Sequence, residues 1–177
     1  ILATGAEPYL PEIPTDGEIA LVTAWQVLRG EVKVGARVLV ADWRCDWIGP
    51  GIAEALAGAG SAVTLAVNGL HPGEVLPLYV RDDMAARLHG LGVTVRPYTR
   101  LFGTAGDTVY LQHTASRAAV EVEGIDTVVL CLGHRPVEAL SEALERMGIE
   151  THMAGDCLAP RTAEEAVFEG LKAGCAV

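Results

Sequence analysis

Eight consecutive residues bring carboxylates, indoles and a thiol to a point where the pattern changes from strand to helix. They read Asp42-Trp43-Arg44-Cys45-Asp46-Trp47-Ile48-Gly49 and are called the acidic loop below. Loops that bind a dinucleotide at such a point carry the pattern G-x-G-x-x-G, whose glycines permit the turn and the close approach of the diphosphate. If Gly49 is the third glycine, Arg44 and Asp46 occupy the positions of the first two. The segment therefore lies at the position of a dinucleotide-binding loop but lacks the first two glycines of the pattern.

The side chains of the acidic loop are unfavourable for binding the diphosphate of a dinucleotide, although the loop lies where such a site is expected. Asp42 and Asp46 would repel a diphosphate, and the two indoles would crowd it. The next strand ends at Asn68, where NAD sites have an acid for the ribose hydroxyls and NADP sites have an arginine for the phosphate. We therefore predict a degenerate dinucleotide loop marked by Asp42, Trp43 and Gly49. Binding that is retained in a modified form is the alternative.

Two segments near the ends of the chain carry the residue types of a nucleotide or flavin site. Gly155-Asp156 follows an apolar run and precedes a helix that begins with the capping box Thr162-x-x-Glu165. A carboxylate there can accept hydrogen bonds from ribityl or ribose hydroxyls, while the helix N-terminus favours a phosphate. Ala3-Thr4-Gly5 ends a similar apolar run. Each motif alone is an ordinary turn, but together they predict a partial ADP or FAD site at Thr4, Gly5, Gly155 and Asp156.

Hydrophobic periodicity predicts the elements that position these segments. Strands are predicted at 37–41, 63–67, 93–95 and 127–132, with helices from Pro50, through 80–88 and from Thr162. This β-α-β order is typical of a parallel sheet covered by helices. Residues 108–112 and 119–123 alternate in polarity, which predicts an antiparallel hairpin. The predicted fold class is α/β: a Rossmann-like three-layer domain with a parallel sheet and an antiparallel hairpin layer, flanked by pieces of a second domain of FAD/ADP type.

Three weaker patterns give further expectations. The spacing Thr15-x-x-Glu18 predicts a capping box and a helix that continues to Leu28. Gly133-His134-Arg135-Pro136 predicts a turn at the end of a strand, with Arg135 in a salt bridge. His71-Pro72-Gly73-Glu74 predicts a loop, in which no metal or base role is expected for His71, and His89, His113 and His152 are expected to be solvated or structural.

Composition limits the classes of partner. The 177 residues include 13 basic and 23 acidic side chains, so the net charge is −10 and nucleic acid is not expected as a main partner. No apolar run reaches the roughly 18 residues of a membrane span, and no segment has the pattern of a secretory signal. The four cysteines contain no C-x-x-C pair. We therefore expect a cytoplasmic protein with reduced thiols.

The combined motifs resemble the pyridine-nucleotide–disulfide reductase arrangement, in which an NAD(P)-type domain is inserted into an FAD-type domain. The resemblance is closer to the C-terminal region of the dimethylamine, trimethylamine and histamine dehydrogenase group, within the NADH:flavin oxidoreductase and 2,4-dienoyl-CoA reductase superfamily. The segments that carry it are 37–42, 48–54, 63–68 and 154–161. It covers essentially the whole chain.

The resemblance implies a larger enzyme, in which an upstream TIM barrel holds FMN and a four-iron–four-sulfur cluster. In the amine dehydrogenases the FAD-type domain holds ADP, and electrons leave to an electron-transfer flavoprotein. In the related 2,4-dienoyl-CoA reductases the same region carries FAD and binds NADPH. The acidic loop and Asn68 depart from the reductase pattern and favour the amine dehydrogenase side.

These expectations combine into a fragment of a flavin and iron–sulfur oxidoreductase that starts within a strand at Ile1. Its segments are expected to be a partial FAD/ADP-type domain (1–30), an NAD(P)-binding-like domain (31–148) and a return into the first domain (149–177). We assign no catalytic residue and no metal ligand. The fragment is expected to be inactive alone, to hold no cofactor tightly and to be capable of forming a homo-oligomer. An NAD(P)H-binding module that passes hydride to FAD and a stand-alone interaction domain are the alternatives.

Overall fold

The computed structural model describes residues 1–177, which divide into two compact units. Unit 1 consists of residues 1–10 and 133–177, and unit 2 consists of residues 11–132. Unit 2 is therefore an insertion in the chain of unit 1. The expected segments end at residues 30 and 148, whereas the boundaries between the compact units in the sequence follow residues 10 and 132.

The elements follow in this order along the chain. The strands are β1 (Ala6–Pro8), β2 (Ala20–Thr23), β3 (Arg37–Asp42), β4 (Ala62–Val67), β5 (Thr94–Arg96), β6 (Thr99–Ala105), β7 (Thr108–His113), β8 (Ala119–Val122), β9 (Thr127–Cys131) and β10 (His134–Pro136). The helices are α1 (Ala24–Leu28), α2 (Ile48–Gly58), α3 (Leu78–Gly90), α4 (Ser141–Arg146) and α5 (Ala163–Ala176). Gly155–Cys157 forms one turn of 3-10 helix.

Unit 2 has a five-stranded parallel sheet in the order β2-β9-β3-β4-β5 and an antiparallel sheet in the order β6-β7-β8. The parallel sheet is the middle layer. Val38 and Val40 of β3 pack on the side of α2, whereas the alternating residues Leu39 and Ala41 pack with the antiparallel sheet. Every residue of β9 is buried, as expected for a strand that is covered on both faces. The predicted α/β fold class, with its parallel sheet and antiparallel layer, is confirmed.

The predicted first helix is partly wrong. The segment from Ala20 to Thr23 pairs with β9 as a parallel strand, and the helix begins only after it. The capping box is formed by Thr23 and Gln26, whereas Thr15 accepts a hydrogen bond from the Gly17 N–H within a turn. The β-branched and apolar residues of β2 complete the sheet, and this tertiary pairing overrides the helical spacing.

The antiparallel layer has one strand more than the sequence predicted. β6 precedes the predicted hairpin and pairs with β7, with a shift of register between Leu101 and Gly103. Leu101 is buried against the parallel sheet, whereas Phe102 at the irregularity is exposed. A bulge of this kind interrupts the period-two pattern by which a strand is found in a sequence.

Unit 1 is small and largely built from short elements. β1 pairs antiparallel with β10, and Leu2 forms a single parallel bridge with Met153. The segment from His134 to Pro136, predicted as a turn, is therefore a strand, since its backbone finds partners in β1. The predicted salt bridge of Arg135 is confirmed, with Glu7 as its partner. No helix of the chain is long and apolar enough to cross a membrane.

Candidate functional site

Asp42 is the last residue of β3, and its carboxyl group is completely buried at the start of the acidic loop. Its Oδ1 accepts hydrogen bonds from the backbone N–H groups of Arg44, at 3.0 Å, and Cys45, at 2.9 Å. Its Oδ2 is buried and has no hydrogen-bond partner. Burial raises the pKa of Asp42 to about 7, because the charged form loses its hydration. The carboxyl group thus acts as the internal acceptor that holds the loop in shape.

Gly49 lies directly against this carboxyl group. A Cβ atom at Gly49 would lie 2.4 Å from both Cγ and Oδ2 of Asp42, a distance that two such atoms cannot adopt. In a working dinucleotide loop the third glycine permits close packing of helix and strand. Here the glycine makes room for the side chain of Asp42. The space between the end of β3 and the start of α2 is therefore filled by the protein itself.

The remaining charges of the acidic loop are also satisfied internally. Asp46 accepts a hydrogen bond from the N–H of Ile48, the first residue of α2, at 2.9 Å. Its second oxygen lies 2.9 Å from Nε of Arg44. A carboxylate at the N-terminus of a helix occupies the place that an anionic ligand would otherwise favour. Asp46 therefore competes directly with any phosphate for the end of α2.

The segment after β4 is tied to the acidic loop by a chain of hydrogen bonds. The side-chain amide of Asn68 donates to the carbonyl of Trp43 at 3.2 Å. The N–H of Gly69 donates to Sγ of Cys45 at 3.3 Å, and the Gly69 carbonyl accepts from the N–H of Tyr98 at 2.8 Å. Cys45 and Tyr98 both have a positive φ of 53°, a conformation that is strained for side chains of this size. These contacts link the segments that follow β3 and β4 to the residue before β6.

Arg100 and the Cys45 thiol make two further contributions to the surroundings of the acidic loop. The guanidinium carbon of Arg100 lies 3.9 Å from the ring centre of Trp43, a cation–π contact between the antiparallel sheet and the acidic loop. Burial raises the pKa of the Cys45 thiol to about 11, so that it stays protonated near neutral pH and is a poor nucleophile. The structure thus brings Asp42, Trp43 and Gly49 together as predicted residues of one loop. The contacts of Asn68, Tyr98 and Arg100 could not be found from sequence spacing.

The second candidate site is a groove of about 500 Å³ in unit 1, called the glycine groove below. Small residues from both ends of the unit line it, namely Ala3, Gly5, Ala154, Gly155, Ala163, Ala166 and Gly170. Gly5 and Gly155 have φ angles of 76° and 73°, which L-residues with a side chain rarely adopt. Both glycines therefore allow the backbone to form the wall of the groove.

Asp156 is the one acidic residue that lines the glycine groove. Its partly exposed carboxylate makes no hydrogen bond or ion pair with the protein, in contrast to Asp42. The N-terminus of α5 faces the same groove through Thr162, whose capping box with Glu165 is confirmed. Thr4 lies outside the lining, and its hydroxyl donates to the carbonyl of Val137 at 2.5 Å. Three of the four predicted residues, Gly5, Gly155 and Asp156, thus share one groove.

Arg161 is the basic residue that lines the glycine groove; it ends the segment 154–161 that carries the resemblance but was not among the predicted site residues. Its guanidinium pairs with Glu169, whose other oxygen accepts a hydrogen bond from the Gly155 N–H at 2.8 Å. This link fixes the Gly155 turn to α5. An unpartnered carboxylate, a guanidinium and a helix N-terminus are the groups that bind hydroxyl and phosphate groups of a nucleotide.

No protein-family profile matches the chain. The chain is 27% identical to the N,N-dimethylglycine/sarcosine dehydrogenase of Chromohalobacter salexigens, over 97% of this chain and 30% of that enzyme. It superimposes on histamine dehydrogenase from Rhizobium sp. 4-9 with a TM-score of 0.82 and 19% identity, over 96% of this chain and 29% of the other. It superimposes on 2-naphthoyl-CoA reductase with a TM-score of 0.83 and 26% identity, over 99% of this chain and 26% of that enzyme.

The chain thus spans about 30% of the length of the curated relative. The structural matches at low identity establish the shared fold, and the sequence match extends over almost the whole chain. The predicted resemblance is confirmed: the homologues and structural neighbours of this chain are dimethylglycine/sarcosine dehydrogenase, histamine dehydrogenase and NADH:flavin oxidoreductase-like enzymes, and it corresponds to their C-terminal part.

Proposed function

We propose that this chain is the nucleotide-holding part of a larger flavoprotein oxidoreductase of the amine dehydrogenase type. Its relatives are oxidoreductases that are more than three times as long, so the chemistry of the whole enzyme needs groups beyond these residues. The observation that carries the proposal is the glycine groove, where the unpartnered carboxylate of Asp156 meets two glycines with positive φ.

The ligand that fits the groove best is ADP, or the ADP portion of FAD. Asp156 would accept hydrogen bonds from ribose or ribityl hydroxyls, and the small residues of the wall leave room for a nucleotide to approach the backbone. The N-terminus of the 14-residue helix α5 and the guanidinium of Arg161 would stabilise phosphate charge. The bound nucleotide would tie this chain to the rest of its enzyme.

The acidic loop has a structural role in this proposal and does not bind NAD(P). Asp42 fills the space beside Gly49, and Asp46 accepts a hydrogen bond from the first N–H of α2, so a diphosphate would meet two carboxyl groups. Asn68 donates to the loop backbone and offers no carboxylate for a ribose. This arrangement disfavours the alternative of a module that binds NAD(P)H and passes hydride to FAD.

The remaining partners in this proposal are those of the amine dehydrogenase type. They are a TIM-barrel domain with FMN and a four-iron–four-sulfur cluster, and an electron-transfer flavoprotein that accepts the electrons. The exposed apolar side chains of α5 support a role in contacting other protein, because Val167, Phe168 and Leu171 are each at least 65% exposed.

Calorimetric titration of the chain with ADP and with NADPH tests the proposal. Weak binding of ADP, in the millimolar range that corresponds to about −4 kcal/mol, is the expected result, with no heat from NADPH. Micromolar binding of NADPH would overturn the assignment of the acidic loop. Absence of any ADP binding even at high ligand concentration would count against the glycine groove.

A further inference from the structure

A cavity of about 370 Å³ lies in unit 2 between α3, the start of β5 and the segment that follows β4. None of its residues belongs to the acidic loop or to the glycine groove. Its floor is apolar: Leu88 is 1% exposed and Val93 is 9% exposed. Val95 of β5 continues the same apolar wall. The volume lies within the range of pockets that hold small organic ligands.

Two imidazoles, those of His71 and His89, line this cavity. They come from positions 18 residues apart in the sequence, and the fold brings them to one pocket. Both residues are solvent-exposed, and neither side chain makes a hydrogen bond or an ion pair with the protein. An apolar pocket with a few convergent polar groups is the typical form of a small-molecule site.

The lining decides which chemical class the cavity can take. No carboxylate and no other charged side chain lines it, so nothing there would balance an organic cation. No group of three or more metal-ligating side chains is present in the chain, which disfavours a metal ion. Two imidazole N–H groups can each donate to one oxygen of a carboxylate, while Leu88, Val93 and Val95 cover an alkyl chain. We infer that this cavity, called the histidine pocket, binds a short-chain aliphatic monocarboxylate.

The inference is tested by titrating the isotope-labelled full chain with hexanoate and following its amide and methyl resonances by NMR. Saturable shifts are expected at Leu88, Val93 and Val95. His71→Ala and His89→Ala should each weaken binding about tenfold, since each removes one hydrogen bond to a charged group. His152→Ala is the matched control, because this histidine lies in unit 1, and it should leave hexanoate binding unchanged.

Hexan-1-ol separates the role of the carboxylate from that of the alkyl chain. It has the same chain and no charge, so it should bind more weakly than hexanoate and should respond less to the histidine substitutions. Ala85→Phe, which places a ring at the cavity wall, should abolish the shifts. Equal binding of hexanol and hexanoate, unchanged affinity in both histidine variants or no saturable shift in excess hexanoate would each overturn the inference. None of these outcomes depends on whether the glycine groove binds ADP.

Discussion

In unit 2 the end of β3 meets the start of α2, and Asp42 fills the space between them. In unit 1 the Gly155-Asp156 turn precedes α5, and the groove beside it remains open. Each region has an aspartate close to the N-terminus of a helix, but the two carboxyl groups differ in their surroundings. Asp42 is fully buried and accepts two backbone hydrogen bonds, whereas Asp156 lines a groove without a protein partner. We propose on this basis that only the glycine groove binds a nucleotide, so that the backbone fold alone does not determine binding.

The contrast depends on which group lies in the space that a phosphate would need. At the acidic loop the protein supplies its own acceptors, and Asp46 accepts a hydrogen bond from the N–H of Ile48 at the start of α2, where an anion would otherwise be favoured. At the glycine groove most lining residues are small, and Arg161, paired with Glu169, and the unpartnered carboxylate of Asp156 also line it. The first region can be tested by changes in stability, and the second by changes in binding.

The largest expected effect is that of adding a methyl group at Gly49. Gly49→Ala places a Cβ 2.4 Å from the Asp42 carboxyl group and should cost about 3 kcal/mol through overpacking in the core. Gly51→Ala, two residues along the same helix with open space around its Cβ, should be neutral or stabilise by up to about 1 kcal/mol. The free energy of unfolding in urea measures both. Equal stabilities for the two variants would show that Asp42 does not fill the loop.

The next effect is a dependence of stability on pH. The pKa of Asp42 is raised to about 7 in the folded state, so folding favours the protonated carboxyl group. Stability is therefore full below the unfolded pKa, near 4, and falls as the pH rises to about 7. Between pH 5 and pH 8 the native chain should lose about 3 kcal/mol more than Asp42→Asn. Parallel pH profiles for the two proteins would contradict the burial of Asp42.

Asp156 gives a smaller effect, which concerns binding. Asp156→Asn keeps the size of the side chain but removes the charged acceptor, so it should weaken ADP binding about tenfold. Asp107→Asn in unit 2 is the control and should leave ADP affinity unchanged. Titration by calorimetry or NMR provides both values. An unchanged affinity in Asp156→Asn would exclude the proposed contact with the nucleotide hydroxyls.

The smallest expected effect is weak self-association through α5. Val167, Phe168 and Leu171 are exposed on this helix, and apolar surface of this kind favours protein contacts. Light scattering should show a mean mass that increases with concentration, and Phe168→Ser should reduce the increase. Tyr79→Ser in unit 2, which removes a side chain that is 78% exposed, should not. A constant monomer mass at all concentrations would contradict this prediction.

Much of the fold could be predicted from the sequence because its main signals are local. The buried run of β9, the alternating hairpin β7–β8 and the capping box at Thr162 each follow from a pattern within a few residues. β2 was missed because its partner β9 lies more than 100 residues away in the chain. The helical spacing that continues into α1 hid this pairing.

The candidate sites could be predicted from the sequence less completely than the fold. The missing glycines of the acidic loop indicate an altered site, but the hydrogen bonds that close it come from Asn68, Gly69 and Tyr98 in distant segments. His71 and His89 have no common motif, so only the fold could reveal that they share a cavity. Sequence spacing identifies residues on one loop, whereas a site formed by several segments requires the tertiary structure.

The most direct test of how the two regions differ is an NMR titration of the isotope-labelled chain with ADP and, separately, with NADPH. We expect ADP to shift the resonances of Gly5, Gly155 and Asp156 and to leave residues 42–49 unchanged, and we expect NADPH to leave the acidic loop unchanged as well. Shifts at Asp42, Trp43 and Gly49 on addition of NADPH, with none at Gly155 on addition of ADP, would reverse the assignment of the two regions.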